Sequence, residues 1–183
     1  GNVKDALRLN CVGVGFTIFP GSEYNYKLIE QACNLFREAK EAGLITVLWS
    51  YARGSMSKKG ETAINIISYA AHMACLCGAH IIKVKLPTSY LEDDPTKDAF
   101  IKNNIKIDTA VDRVKVIKRS CFNGRRIVVF SGGEAKDDDE LLNEVRAIKE
   151  GGGNGSIVGR NCFQRSKKEA LALLDKMFSI YKN

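Results

Sequence analysis

Apolar, β-branched runs recur along the chain at 11–19, 44–49, 80–86, 127–130 and 156–158. Each is followed by a stretch with helical spacing. The periodicity predicts a helix over 23–42, with Tyr26, Ile29, Cys33 and Phe36 on one face and Gly43 as its stop. A second is predicted over 61–77, with Ile64, Ile67, Ala71 and Ala74 in step and Gly78 after it. A third covers 108–120, with Val111, Val114 and Ile117, and a fourth covers 137–150, with Leu141, Val145 and Ile148. The fifth starts at Ser166, whose hydroxyl caps while Glu169 reaches back, and carries Leu171, Leu174, Phe178 and Tyr181. The strand runs are almost unbroken in apolar residues, as expected where both faces of a sheet are covered. Five βα units in succession define an α/β fold with a parallel sheet and helices outside it. In such folds chemistry sits at the carboxyl ends of the strands. One insertion, 87–107, is long enough to be a lid or a disordered segment. The glycine run at 151–155 precedes a strand instead of following one, so it reads as a helix stop and turn, not a dinucleotide loop.

The chain has 183 residues, which fits a single domain spanning 1–183 and lets a core form without disulfides. With 45% hydrophobic and 27% charged residues, disorder, collagen and coiled coil are excluded. No run approaches about 18 consecutive apolar residues, so no membrane partner is expected. No secretory signal is visible, and the expected location is cytoplasmic. The chain begins at Gly1, so its natural amino terminus is expected to be absent or processed. A net charge of +7 favours anionic partners. The basic residues are dispersed, with only short pairs such as Lys58-Lys59 and Arg125-Arg126. That points to phosphorylated metabolites and away from nucleic acid. Six cysteines without C-x-x-C spacing and two histidines give no metal site, and the thiols read as reduced core residues. No cofactor is implied.

Candidate chemistry stands at the strand ends. In His80–Leu86 the alternation of a strand places Lys83 and Lys85 on one face and Ile82 and Val84 on the other. Two lysines on one face of a buried strand are costly unless that face lines a wet pocket or both side chains snorkel past the sheet edge. In a pocket, burial and a neighbouring ammonium would both favour a neutral amine, the requirement for Schiff-base formation with a ketone. The second strand ends in Trp49, Ser50, Tyr51, Ala52 and Arg53. Tyr51 could move a proton and Arg53 could bind an anion, although the pattern taken alone favours a core Trp49 and a boundary Tyr51. Ser131, Gly132 and Gly133 follow the fourth strand, and Gly159 and Arg160 follow the fifth. Glycines at strand ends either make tight turns or let backbone N–H groups approach an oxyanion, with a cation nearby. Two consecutive units of this kind favour a phosphate cradle.

Taken together, "GFTIFPGS" at 15–22, "VLWSYARG" at 47–54, "AHIIKVKLP" at 79–87, "VVFSGGEAK" at 128–136 and "GNGSIVGRNCFQR" at 153–165 resemble the archaeal-type class I fructose-1,6-bisphosphate aldolases, in particular their bacterial branch. The resemblance implies a (β/α)8 barrel of which this chain has five βα units, the carboxyl-terminal part. It implies an imine on Lys83, with Lys85 as second cation and fallback, and a W-x-Y motif in Trp49 and Tyr51 whose tyrosine gives and takes a proton. It also implies phosphate binding at Gly132, Gly133, Gly159 and Arg160, to which Ser131 and Arg53 are added as neighbours. The implied substrate is a phosphorylated ketose and the family is usually multimeric, so a homo-oligomer is expected. Two departures stand out: Ala52 replaces the family's usual proline, and the first-strand aspartate has no counterpart here. Rival readings keep the imine but change the sugar phosphate, or drop catalysis and leave a phosphometabolite-binding protein.

Overall fold

A computed structural model describes residues 1–133 and 136–182. The chain runs α1 (Val3–Arg8), β1 (Gly13–Ile18), α2 (Asn25–Glu41), β2 (Ile45–Ser50), a one-turn 3-10 helix (Gly60–Thr62), α3 (Ile64–Leu76), β3 (Ile81–Lys85), α4 (Asp94–Lys102), α5 (Ala110–Ser120), β4 (Ile127–Ser131), α6 (Asp138–Glu150), β5 (Gly155–Ile157), α7 (Arg160–Phe163) and α8 (Lys167–Lys182). All five predicted strands are present. They pair in parallel and in strict chain order, β1-β2-β3-β4-β5. A doubly wound sheet reverses its order at a switch point; a sheet that never reverses is the arrangement of a (β/α)8 barrel wall.

The two faces of the sheet differ. Ile18, Leu48, Ile82, Val84, Val128 and Phe130 are fully buried and meet Phe36, Ile64, Ile67, Val114 and Ile117 of the helices. The opposite face carries Trp49, Lys83 and Val129 in one row across the sheet, with Lys85 and Ser131 in the next. On that face Ile45, Ile127 and Ile157 are each more than 40% exposed. A second cluster joins α6 to α8 through Leu141, Leu142, Val145, Leu173 and Met177.

Three expectations change in detail. Tyr26 is exposed, because the buried stripe of α2 runs through Ala32, Phe36 and Ala39. Leu171 and Phe178 are exposed as well, since α8 turns Leu173 and Met177 inward. The predicted second helix splits at Ala63, whose backbone is extended and bridges to Thr88. The insertion is ordered: Asp93 caps α4, Pro95 sits in its first turn, and Leu91, Phe100 and Ile107 pack on the main core. The caps expected at Ser166 and Glu169 form as a reciprocal pair. α1 carries its own capping box from Asn2 and Asp5 and buries Val3 beside Ala39 and Leu44.

Candidate active site

Lys83 lies mid-row on the open face, between Trp49 of β2 and Val129 of β4. It has no ion-pair or hydrogen-bond partner among the described residues. Burial lowers its amine below the ordinary lysine value. The expected help from a neighbouring ammonium is absent, because Lys85 is engaged elsewhere: its Nζ donates to Glu61 Oε2 at 3.2 Å. Trp49 lies over Gly15, where a Cβ would come within 2.3 Å of the indole ring. The glycine of the "GFTIFPGS" segment therefore gives the indole a flat seat next to the Lys83 row.

Just beyond the strand ends is a cavity of about 800 Å³ lined by Tyr51, Arg53, Lys85, Ser131, Gly132, Gly133 and Arg160 together with Lys58, Glu61, Arg113, Lys136 and Glu144. Seven of the ten predicted site residues thus converge on one opening. Trp49 and Lys83 stand one row below it on the sheet, and Gly159 lies outside its lining. Six cationic side chains face two carboxylates here, so the cavity attracts anions. A larger groove, about 970 Å³, runs between α6 and α8. It carries mixed charges such as Asp139, Asp175, Lys149 and Lys176 and lies on the helix layer, away from the strand ends.

Tyr51 is half-buried, and burial raises its phenol above the ordinary value, partly offset by a hydrogen bond with Ser131 and by the charge of Arg53. It therefore keeps its proton at neutral pH and is a donor in the resting site. Arg53, expected to hold an anion, is paired with Glu61 at 2.5 Å. The two glycine loops are stitched together. Arg160 Nη2 donates to the Gly133 carbonyl at 3.0 Å, and buried Asn161 donates through Nδ2 to the Gly132 carbonyl at 3.1 Å. The backbone N–H of Lys136 donates to Asn161 Oδ1 at 2.8 Å. A Cβ on Gly132 would meet Val158 at 2.8 Å, and Gly133 has φ +67°. Both positions favour glycine for reasons of shape before any ligand is considered. Glu134 and Ala135, in the same predicted loop, lie outside the described residues.

Glu61, Lys136 and Asn161 were missed as site residues. Glu61 reads in sequence as an ordinary acidic residue in a helix first turn, which the helix dipole favours anyway. Its signal was weak: one carboxylate within reach of Arg53 and Lys58. Asn161 adjoins Arg160, but nothing in the pattern says that it bridges two loops.

A parallel sheet in unbroken strand order, with a half-buried lysine under a cationic opening at its carboxyl edge, has the architecture of part of a (β/α)-barrel wall. The chain belongs to the DeoC/LacD family of aldolases, whose family profile matches residues 1–165. It is 33% identical over 193 residues to a probable fructose-bisphosphate aldolase class 1 of Chlamydia trachomatis, covering 98% of this chain and 54% of that protein. It is 30% identical to the fructose-bisphosphate aldolase/6-deoxy-5-ketofructose 1-phosphate synthase of Methanocaldococcus jannaschii, covering 98% of this chain and 51% of that one. Among solved structures, an archaeal fructose-1,6-bisphosphate aldolase with its catalytic lysine covalently bound to the carbinolamine intermediate superposes with a TM-score of 0.74 at 30% identity. That match covers 97% of this chain and 62% of the other. The chain spans about half the length of the curated relatives it matches. No described helix is long and apolar enough to cross a membrane.

Proposed function

We propose that this chain carries the imine-forming site of a class I aldolase acting on a phosphorylated ketose, with fructose 1,6-bisphosphate as the substrate and Lys83 as the nucleophile. One observation carries the reading: Lys83 is an unpaired amine, depressed by burial alone, directly below a cavity rich in cations. The covalent lysine intermediate in the archaeal relative supports the same chemistry.

In the proposed cycle the neutral Lys83 nitrogen attacks the C2 carbonyl of the sugar, and loss of water leaves an iminium. The C3–C4 bond then breaks as its electrons flow into the iminium. A base takes the C4 hydroxyl proton, and glyceraldehyde 3-phosphate departs. Tyr51, which holds its proton at rest, protonates the enamine at C3. Hydrolysis frees dihydroxyacetone phosphate and restores the amine. Phosphate held by Gly132, Gly133, Gly159 and Arg160, with Ser131 and Arg53 nearby, supplies binding energy far from the breaking bond and so positions C2 near Lys83.

Borohydride reduction in the presence of dihydroxyacetone phosphate tests the reading. A reduced adduct on the peptide containing 81–85 is expected, and Lys83→Met should lower its yield by at least about 10²-fold. Wild-type yield from that variant would refute the assignment. The second activity of the Methanocaldococcus relative keeps open a different sugar phosphate. Comparing cleavage of fructose 1,6-bisphosphate with that of fructose 1-phosphate separates the two. As to domain organisation, we propose that 1–183 forms the carboxyl-terminal portion of a (β/α)8 barrel that works as a homo-oligomer. The unbroken strand order and the share of the relatives' length that the chain covers support the barrel portion of this proposal.

A further inference from the structure

Two lysines two residues apart share the open face of β3, and either could in principle attack a ketone. What separates them is a carboxylate from another element. Glu61, on the 3-10 turn after β2, meets Lys85 Nζ at 3.2 Å and Arg53 at 2.5 Å through Oε2, and Lys58 at 3.2 Å through Oε1. Its side chain is only 14% exposed. No described carboxylate reaches Lys83.

We infer that Glu61 is a positioning residue that decides which lysine becomes the nucleophile: it ties the Lys85 side chain into a salt bridge at the cavity wall and leaves Lys83 alone free to attack a carbonyl. The inference rests on the imine reading above. An ammonium held against a carboxylate has no lone pair to offer, whereas an unpaired, partly buried amine does.

The structure places this carboxylate with some care. Ser57 donates its backbone N–H to Glu92 Oε1 at 2.6 Å and its hydroxyl to Glu92 Oε2 at 2.7 Å. The Gly60 N–H then donates to Ser57 Oγ at 3.0 Å. A Cβ on Gly60 would strike the Glu92 carboxylate at 2.5 Å. On the far side, Thr88 N–H donates to the Thr62 carbonyl at 2.8 Å. Both ends of the Glu61 turn are thus pinned by the insertion that follows β3, the strand that carries the two lysines. Glu61 is also held ionised: burial acts to raise its carboxyl, but Lys85, Lys58 and Arg53 outweigh that and lower it. Ionised and hydrogen-bonded to its cations, it is a poor general base, which leaves positioning as its role.

The test localises chemistry between two side chains. Wild-type protein, Glu61→Gln and Arg53→Gln are each treated with dihydroxyacetone phosphate and borohydride. Hydride adds to the iminium carbon and leaves a secondary amine that fragmentation mass spectrometry assigns to Lys83 or Lys85. In parallel, each protein receives a trace of acetic anhydride, which labels free amines without any aldol chemistry. In wild type both reagents should favour Lys83. Glu61→Gln should shift the Lys83-to-Lys85 ratio toward Lys85 by about tenfold, the factor expected for losing one charged hydrogen bond. Glu61→Asp should restore part of the preference.

Arg53→Gln should act in the opposite sense, because Oε2 is then shared with Lys85 alone. That variant keeps the carboxylate and decides the matter if Glu61→Gln does not fold. Ratios unchanged in Glu61→Gln, or a rise of Lys85 labelling in Arg53→Gln, would overturn the inference. If no protein traps the ketone yet the acetylation ratio shifts as stated, Glu61 keeps this role and the aldolase reading falls.

Discussion

Lys83 stands where the alternation of a strand puts it, and so do Trp49, Tyr51 and Lys85; period two is enough to name a face. What alternation does not supply is the partner of each group. Lys85 looked like the ammonium that would depress Lys83, yet it is neutralised by a carboxylate 24 residues earlier in the chain. The depression of Lys83 is therefore a burial effect, and this has a consequence for stability. Its folded amine value lies below its unfolded one, so between the two the unfolded chain binds a proton that the native chain does not. Native stability then rises with pH across that window. Below the folded value the full cost of burying an ammonium is present; above about 10.4, the ordinary lysine value, it is gone. Lys83→Met removes that cost. Relative to wild type, the variant should gain most in urea midpoint near pH 7, and the gain should narrow steadily towards pH 10. A difference that stays flat over this range would mean that Lys83 is not desolvated in the fold.

Elements were legible wherever a strand or helix announced itself by period and cap together. All five strands and the cores of α2, α3, α5, α6 and α8 follow from the spacing of apolar residues. The faces were less secure: Tyr26, Leu171 and Phe178 belong to apolar runs but are exposed, because α2 turns Ala32, Phe36 and Ala39 inward and α8 buries only Leu173 and Met177, against α6. The length of the insertion suggests a lid or disorder, although Asp93 followed closely by Pro95 is a helix start in itself. Its pairing with the Glu61 turn depends on three-dimensional contacts of Ser57, Asn65 and Glu92 that no local pattern encodes. Helix α5 offers a clean check on the local rules. Thr109 and Asp112 form a reciprocal cap, with Thr109 Oγ1 accepting from the Asp112 N–H at 3.1 Å. Thr109→Ala should cost about 1 kcal/mol of stability, visible as a lower chemical-denaturation midpoint at unchanged slope. Although Arg113 of α5 lines the cavity, Thr109 and Asp112 do not, so borohydride trapping at Lys83 should be unaffected under native conditions.

At the scale of the molecule, the sheet is covered on one face only. Helices bury Ile18, Leu48, Ile82, Val84, Val128 and Phe130, while Ile45, Ile127 and Ile157 on the other face remain more than 40% exposed beside Trp49 and Lys83. Parallel sheets are stable when both faces are covered, and β1 and β5 each present a free edge to solvent. In a closed barrel the same face would be the packed interior, and the Lys83 row would sit on its floor. Burial already lowers the Lys83 amine in the open sheet, but excluding water from an enamine depends on that closure. Residues 1–183 expressed by themselves should therefore self-associate in sedimentation velocity at micromolar concentration and turn over fructose 1,6-bisphosphate poorly, even with Lys83 and Tyr51 intact. Replacing two open-face residues, Ile45→Glu and Ile127→Glu, should restore a monomer without restoring turnover, because charge keeps the faces apart but cannot close a wall around the lysine. A wild-type span that sediments as a monomer and turns over at the rate of a full-length relative would show that five parallel strands suffice, and that the exposed isoleucines need no cover.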